Sequence, residues 1–95
     1  MKNKLFVVYD TKSETYTTPT SHPARGQAIR SFSDAVNSGD GVLSAHPADF
    51  TLFEIGEFDI LTGEIAVLPA KEALGNGVDF VDSERALKQN VVNLK

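Results

Sequence analysis

Hydrophobic residues are densest between Asp49 and Leu68, where two apolar runs flank a short polar turn. The first run combines aromatic and branched side chains, which favour β-strands. Gly63 stands where a tight turn requires a positive φ. We therefore predict a strand, a hairpin turn and a returning strand, and we expect the other elements to pack on this central hairpin.

The apolar residues of the first strand change phase around Gly56. The two before it occupy odd positions and the two after it occupy even positions; they are Phe53, Ile55, Phe58 and Ile60. Because successive strand residues point to opposite faces, a regular strand would separate the two pairs. We predict a β-bulge near Gly56–Glu57 that keeps both pairs on the core face. The alternative is a strand covered on both faces, with Leu52 also buried.

Two further strands are predicted at the N-terminus. Residues 4–9 and 14–18 are rich in β-branched and aromatic side chains, and Thr11–Ser13 between them has turn chemistry. The polar segment from Thr18 to His22, which contains Pro19 and precedes Pro23, is predicted to be a loop that ends the second strand. The short apolar run after Lys4 indicates a strand rather than a secretory signal.

One segment, from Ala24 to Asn37, has the periodicity of an amphipathic helix. Its apolar residues form a single stripe at helical spacing: Ala28, Ile29, Phe32, Ala35 and Val36. Gly39 or Gly41 is expected to end it, since either can adopt the left-handed conformation that follows helices. Val42 to Ala48 is predicted to be an irregular connection.

The pattern weakens after Pro69. Lys71 to Leu74 is predicted to form a helical turn, and Val78 to Val81 a short strand or a hydrophobic anchor. Residues 82–88 carry capping residues for one or two turns of helix, and three apolar residues follow before the chain ends. A tail this apolar is expected to dock on its own sheet, on a second copy or on another protein.

These elements define an α+β fold. We expect a four-stranded antiparallel sheet in the order ββαββ, with one main helix on one face. Residues 1–69 would form the domain, and residues 70–95 a C-terminal extension that docks on the domain or on a partner subunit. A helix on one side leaves the other face of the sheet open, and open apolar faces bind partners. We therefore expect a homodimer.

Charge is distributed unevenly along the chain. The net charge is -4, which argues against strong non-specific binding to nucleic acid. Residues 1–30 carry five basic and two acidic side chains, whereas residues 31–95 carry four basic and eleven acidic ones. The absence of cysteine excludes disulfides and thiolate metal sites. No apolar run approaches the length of a membrane span, so we expect no membrane association.

Residues with catalytic or metal-binding chemistry are present but lack a recognisable arrangement. His22 and His46 are isolated histidines, each before a proline. The carboxylates around the central hairpin are expected to be solvated or ion-paired rather than catalytic. The Gly-x-Gly segments at 39–41 and 75–77 lack the strand-to-helix setting of a phosphate loop. We expect no enzymatic activity, no cofactor and no bound metal.

A modest nucleic-acid footprint lies in the first third of the chain. Lysines there lie among aromatic residues on the first hairpin, and such surfaces stack bases and follow a phosphate backbone. The candidate DNA contacts are Lys2, Lys4, Lys12, Tyr16, Arg25 and Arg30. The neighbouring Phe6 is assigned to the core. For Arg30 a second interpretation is an ion pair with Asp34 one helical turn away.

Two blocks of sequence carry a family resemblance. The helix from Gly26 to Asn37 and the segment from His46 to Gly56, followed by Phe58 to Gly63, resemble the small non-structural protein of gokushoviruses. Gokushoviruses are single-stranded DNA phages of the microvirus group. The resemblance covers about residues 4–68 and does not extend beyond Pro69.

This resemblance implies a protein that is absent from the mature capsid and acts in genome replication or packaging in the host cytoplasm. The implied protein is comparable to the microvirus factor that switches synthesis toward single strands. The resemblance implies no catalytic residues. Our first hypothesis is a phage accessory protein that binds single-stranded DNA or the replication proteins of phage or host. The alternative is a protein-interaction module, an assembly or host-modulating factor, that does not bind nucleic acid.

Overall fold

The computed structural model describes residues 1–82, which form an antiparallel sheet with the main helix on one face. The strands are β1 (Lys2–Asp10), β2 (Thr15–Tyr16), β3 (Thr20–His22), β4 (Phe50–Asp59) and β5 (Ile65–Asn76). The helices are α1 (Arg25–Val36) and α2 (Gly41–Ala45), and 3-10 turns form at Pro47–Asp49 and Gly77–Phe80. The predicted α+β class, antiparallel sheet and main helix are confirmed. None of the described helices is long and apolar enough to cross a membrane.

Strands β1 and β4 lie at the centre of the sheet, whose order is β2-β1-β4-β5. Two short strands share the outer edge of β1: β2 pairs through Tyr9 and Tyr16, and β3 pairs through Lys4 and His22. The predicted loop from Thr18 to His22 is therefore partly wrong. Pro19 interrupts the returning strand, and the chain then rejoins the same edge as β3.

The core lies between α1 and the two central strands. Ala28, Phe32 and Val36 of α1 are buried against Phe6 of β1 and Leu52 of β4. The helix ends within one residue of its predicted bounds at both termini. Beyond it, Gly39 has a φ of 77°, as expected for a glycine that follows a helix, whereas Gly41, with a φ of 84°, begins α2.

Two connections differ from their predictions because tertiary contacts override weak local patterns. Residues 42–48 were expected to be irregular, but most of them belong to α2 and the following 3-10 turn. The buried Ser44 hydroxyl, which accepts a hydrogen bond from the Gly39 N–H at 2.9 Å, holds α2 against the preceding turn. Lys71 to Leu74 is not a helical turn but part of β5, in register with β4 through Ala73 and Phe53.

The segment after β5 is a hydrophobic anchor, one of the two forms predicted for it. The Phe80 ring lies edge-on to Phe32, with centroids 5.7 Å apart. Asn37 at the end of α1 donates a side-chain hydrogen bond to the Phe80 carbonyl oxygen (2.8 Å) and accepts one from the Asp82 N–H (3.0 Å). Residues 83–95, the remainder of the predicted C-terminal extension, lie outside the described residues.

Asn76 joins the end of β5 to its surroundings. Its amide donates to the Ala48 carbonyl oxygen at 2.9 Å and to the Thr51 hydroxyl at 3.3 Å. Its side-chain oxygen accepts from the Val78 N–H at 3.0 Å, so one side chain caps the last 3-10 turn and holds the turn that precedes β4.

The predicted bulge is present, one residue before the expected position. Leu5 of β1 pairs with Gly56 and Phe6 pairs with Glu54, which leaves Ile55 as the extra residue of β4. A methyl group at Gly56 would meet the Ala66 carbonyl oxygen well inside van der Waals contact. The glycine is therefore required by the close approach of β5, and it marks the bulge for that reason.

The bulge acts on the face opposite to the one predicted. Leu52 and Glu54, each 3% exposed, point toward α1, so Phe53 between them points away. Phe58 pairs with Asn3 of β1. Asn3 lies three residues before the core residue Phe6, so Asn3 and Phe58 point away from α1, to the same face as Phe53. We call the α1 side the helix face and the other side the open face.

The prediction that the bulge keeps the aromatic residues on the core face is thus wrong. The bulge does keep Phe53 and Phe58 together, but on the open face, where both are half-buried. Ile60, the last residue of the predicted set, lies in the hairpin turn and is 45% exposed. The alternative of full burial on both faces is also excluded by these exposures.

We predict that Gly56→Ala destabilises the protein by about 1–3 kcal/mol, because the added methyl forces β4 and β5 apart. The control is Gly26→Ala, where no atom from outside the same helical segment lies within 4 Å of the added methyl. Gly26 is in the first turn of α1, so this change should not destabilise the protein and should add at most about 1 kcal/mol. Urea unfolding followed by circular dichroism measures both; equal midpoints for the two variants would contradict the packing argument.

Candidate nucleic-acid interface

Three of the six predicted DNA contacts form ion pairs with carboxylates. The Lys2 ammonium lies 3.8 Å from Glu57, and the Lys4 ammonium lies 3.6 Å from Glu54. The Arg25 guanidinium donates hydrogen bonds to Glu54 from Nε and to Glu72 from Nη2, at 2.8 and 2.9 Å. The basic N-terminal region is therefore largely neutralised by acids from later strands.

Glu54 is the centre of this ion-pair network. It projects from the middle of β4 onto the helix face and is 3% exposed, although it carries a charge. Arg25, the first residue of α1, lies beside it. The hydrogen bond to Glu54 is the main cause that raises the pKa of Arg25 above its ordinary value. Because Arg25 also reaches Glu72, one guanidinium joins α1 to β4 and β5. Its role is structural.

The two remaining basic candidates stand apart from this network. Lys12 lies in the exposed turn between β1 and β2, where its N–H donates to the Asp10 carboxylate at 2.9 Å. Arg30 is exposed on α1 and lines a shallow cleft together with His22 and Asp34. Within residues 1–82, neither Lys12 nor Arg30 forms an ion pair, so the predicted Arg30–Asp34 pair is not made.

The acids of the two long strands all lie on the helix face. Each is placed there by its cross-strand partner: Glu54 opposite Phe6, Glu57 opposite Lys4, Asp59 opposite Lys2 and Glu72 opposite Glu54. Directly opposed residues of an antiparallel pair share a face. The open face therefore receives no carboxylate from β4 or β5.

Asp59 supports the hairpin turn rather than a binding site. Its carboxylate accepts a hydrogen bond from the Leu61 N–H at 2.9 Å, and that bond is the main cause that holds the pKa of Asp59 below its ordinary value. Ionised Asp59 stabilises the turn above the ordinary carboxyl pKa, and the stabilisation is lost as the pH falls through the lowered value. Within the described part of the chain, no group of His, Asp and Glu side chains is arranged to hold a metal ion.

The open face carries a cluster of aromatic side chains that we call the aromatic platform: Tyr9, Tyr16 and Phe53. The ring centroids of Tyr9 and Tyr16 are 4.7 Å apart, and those of Tyr16 and Phe53 are 6.2 Å apart. The Lys71 ammonium lies over the platform, 5.6 Å from the Tyr16 centroid and 5.7 Å from the Phe53 centroid. A cation at this distance is attracted by the negative face of each ring.

Register explains how four residues from four strands meet. Tyr9 and Tyr16 are direct cross-strand partners, and Phe53 follows on β4 opposite Val7. Ile55 of β4 is opposed by four residues of β5, 68–71. These lie between Val67, the partner of Gly56, and Glu72, the partner of Glu54. Lys71 is the last residue of this irregular segment.

Sequence reasoning identified only Tyr16 of this cluster as a contact. It missed Lys71 because that residue was assigned to a helical turn, and it left Phe53 in the core because the face of β4 was inverted. A signal was present in the run of uncharged residues before Lys71, which is typical of a strand. Tyr16, 47% exposed beside an ammonium group, presents an aromatic surface suited to stacking.

The fold and this surface define a class of small α+β domain in which one sheet face is covered by a helix and the other is open and aromatic. A family model described as Phage ORF5 protein matches residues 3–80, and the chain belongs to that family. Searches of curated proteins and of solved structures found no match. The resemblance to a phage protein is thereby confirmed, while the assignment to gokushoviruses stays a prediction.

We predict that Glu54→Gln destabilises the fold by about 1–3 kcal/mol, because a buried charged hydrogen bond to Arg25 and the attraction of Lys4 are both weakened. Glu72→Gln is the matched control, since the Glu72 side chain is 54% exposed and its loss should cost no more than about 0.5 kcal/mol. Urea unfolding distinguishes the two variants, and a similar loss in both would show that burial of Glu54 does not matter.

Proposed function

We propose that this phage protein binds single-stranded DNA on the open face of its sheet and acts in genome replication or packaging. The observation that carries the proposal is the aromatic platform with Lys71 above it. Aromatic rings on an exposed sheet stack with unpaired bases, and a neighbouring ammonium group attracts the phosphates between them. The proposed activity is binding, without catalysis.

The distribution of charge supports this surface over the one expected from sequence. The net charge of -4 opposes nucleic-acid binding by the chain as a whole. On the open face this repulsion is reduced, because the carboxylates of β4 and β5 project to the helix face and pair there with Lys2, Lys4 and Arg25. The proposed contacts are therefore Tyr9, Tyr16, Phe53 and Lys71, with Lys12 in the turn that follows Tyr9.

Single-stranded rather than duplex DNA is the proposed ligand. Stacking requires a base whose face is accessible, and in a duplex both faces of each base are covered by its neighbours. Within residues 1–82, no helix protrudes from the open face to enter a major groove, since α1 and α2 pack on the other side. Replication and packaging of a phage genome would place the protein in the cytoplasm of its bacterial host.

A second candidate function is a protein-interaction module that does not bind DNA. It is favoured by exposed apolar side chains at the hairpin end of the sheet, where Leu61 is 80% exposed and Val67 is 79% exposed. Such side chains bind proteins more readily than nucleic acid. The two functions differ in whether the platform residues or the hairpin residues are needed for activity.

Binding of a fluorescent oligothymidine, followed by anisotropy at low salt, tests the proposal. We expect Tyr16→Ala to weaken binding by roughly 5- to 150-fold, which corresponds to the loss of one stacked base, about 1–3 kcal/mol. Lys71→Gln should lower the slope of log affinity against log salt by about 0.7, the value for one phosphate contact on a single strand. A hairpin duplex of the same length should bind more weakly.

Lys2→Gln is the matched control for Lys71→Gln. Both changes remove one lysine charge, but Lys2 is paired with Glu57 on the helix face, so its removal should leave the salt slope unchanged. Equal effects of the two substitutions would show that only total charge matters. Absence of oligothymidine binding at low salt would reject the proposal and favour the protein-interaction module.

A further inference from the structure

The outer edge of β5 is exposed and uncharged over half its length. β5 ends the strand order of the sheet, and among the described residues no strand pairs with its outer side. From Ile65 to Ala70 it contains no charged residue, and five of these six residues are exposed. Edge strands of soluble proteins are usually protected by charges, because their unpaired N–H and C=O groups bind other strands. Here only Pro69 provides such protection.

The side chains next to this edge form a matched apolar pair. Ile65 and Val67, 63% and 79% exposed, lie on the open face because their partners on β4 are Phe58 and Gly56. Both are β-branched, which favours cross-strand contact on a pleated surface. Residues 65–67 thus contain both an exposed backbone edge and two exposed branched side chains.

We propose that a second copy of this chain pairs with β5 edge to edge, antiparallel, about a two-fold axis at Ala66. Opposed residues must share a face, so this register places Ile65 of one copy against Val67 of the other, twice in the dimer. Residues 65–67 lie before Pro69, whose missing N–H therefore does not interrupt the pairing.

The charges at the two ends of the segment favour a copy of the same strand as the occupant. Glu64 precedes the uncharged run and Lys71 follows it. In the register centred on Ala66, Glu64 of one copy lies opposite Leu68 of the other, three positions before its Lys71. A parallel in-register pairing would instead set Glu64 beside Glu64 and Lys71 beside Lys71. The antiparallel pairing of two identical strands therefore avoids contacts between like charges at both ends of the segment.

The dimer would have one continuous sheet. A two-fold axis perpendicular to the sheet keeps the open faces of both copies on the same side, so the two aromatic platforms would face one direction. The inference does not depend on DNA binding, because it rests on β5 alone, and its test uses no nucleic acid.

Light scattering during size exclusion measures the mass of the full chain. We expect about twice the monomer mass of 10.3 kDa at high protein concentration, and 10.3 kDa for the double variant Ile65→Lys/Val67→Lys. Val42→Lys is the control, since Val42 is as exposed as Ile65 but lies on α2, and this variant should remain a dimer. A monomeric wild-type chain, or a double variant that is folded by circular dichroism and still dimeric, would overturn the proposal.

Cross-linking tests the register. The chain has no cysteine, so Ala66→Cys introduces a single thiol at the proposed axis, where opposed Cα atoms lie within the range for a disulfide. In the same register, two Ala70→Cys residues are separated by eight positions, roughly 26 Å. Mild oxidation should link Ala66→Cys rapidly into a dimer and leave Ala70→Cys monomeric on non-reducing gels; equal cross-linking of both would overturn this register.

Discussion

The extra residue in β4 determines what each face of the sheet presents. Strand side chains alternate with a period of two, so one unpaired residue inverts the orientation of every residue that follows it. Without the bulge at Ile55, Glu57 and Asp59 would join Phe53 on the open face, and Phe58 would turn toward the helix. With it, the acids follow Glu54 to the helix face and the aromatic residues stay together. Gly56 makes this possible by admitting the β5 backbone at that point.

Segregation of the acids has an electrostatic consequence that the order of residues along the chain conceals. The first thirty residues are basic and the remainder acidic, yet the sheet places the two regions side by side. Lys2, Lys4 and Arg25 each meet a carboxylate from β4. An excess of one charge in a stretch of sequence therefore does not define a charged surface when antiparallel strands bring the opposite charge alongside it.

Local patterns predicted the elements well and their relative placement less well. Helical periodicity located α1 to within one residue at each end, and Gly63 has the positive φ expected of the hairpin turn, 78°. The change of phase around Gly56 correctly indicated a bulge. It could not indicate which face the bulge preserves, because Leu52 and Phe53 are equally suited to a core.

The candidate site was mostly hidden from sequence reasoning for a related reason. Tyr16 meets Phe53 and Lys71 only through the register of strands that are distant in the chain, and no local signal encodes that register. The length of β5 was missed because Pro69 normally ends a strand; at an edge it need not, since its missing N–H faces no partner. The ion pairs of Arg25 are hidden in the same way.

Asn76 determines how the fold responds to chemical ageing. Asparagine followed by glycine is the pair most prone to lose its amide nitrogen, and Gly77 follows Asn76 here. Hydrolysis would replace the amide donor with a carboxylate, which cannot donate to the Ala48 carbonyl oxygen, although the Thr51 hydroxyl can still donate to it. The turn before β4 and the end of β5 would then lose one of the hydrogen bonds that hold them together. Slow loss of this one amide group would therefore weaken the connection between β5 and the rest of the domain as the protein ages.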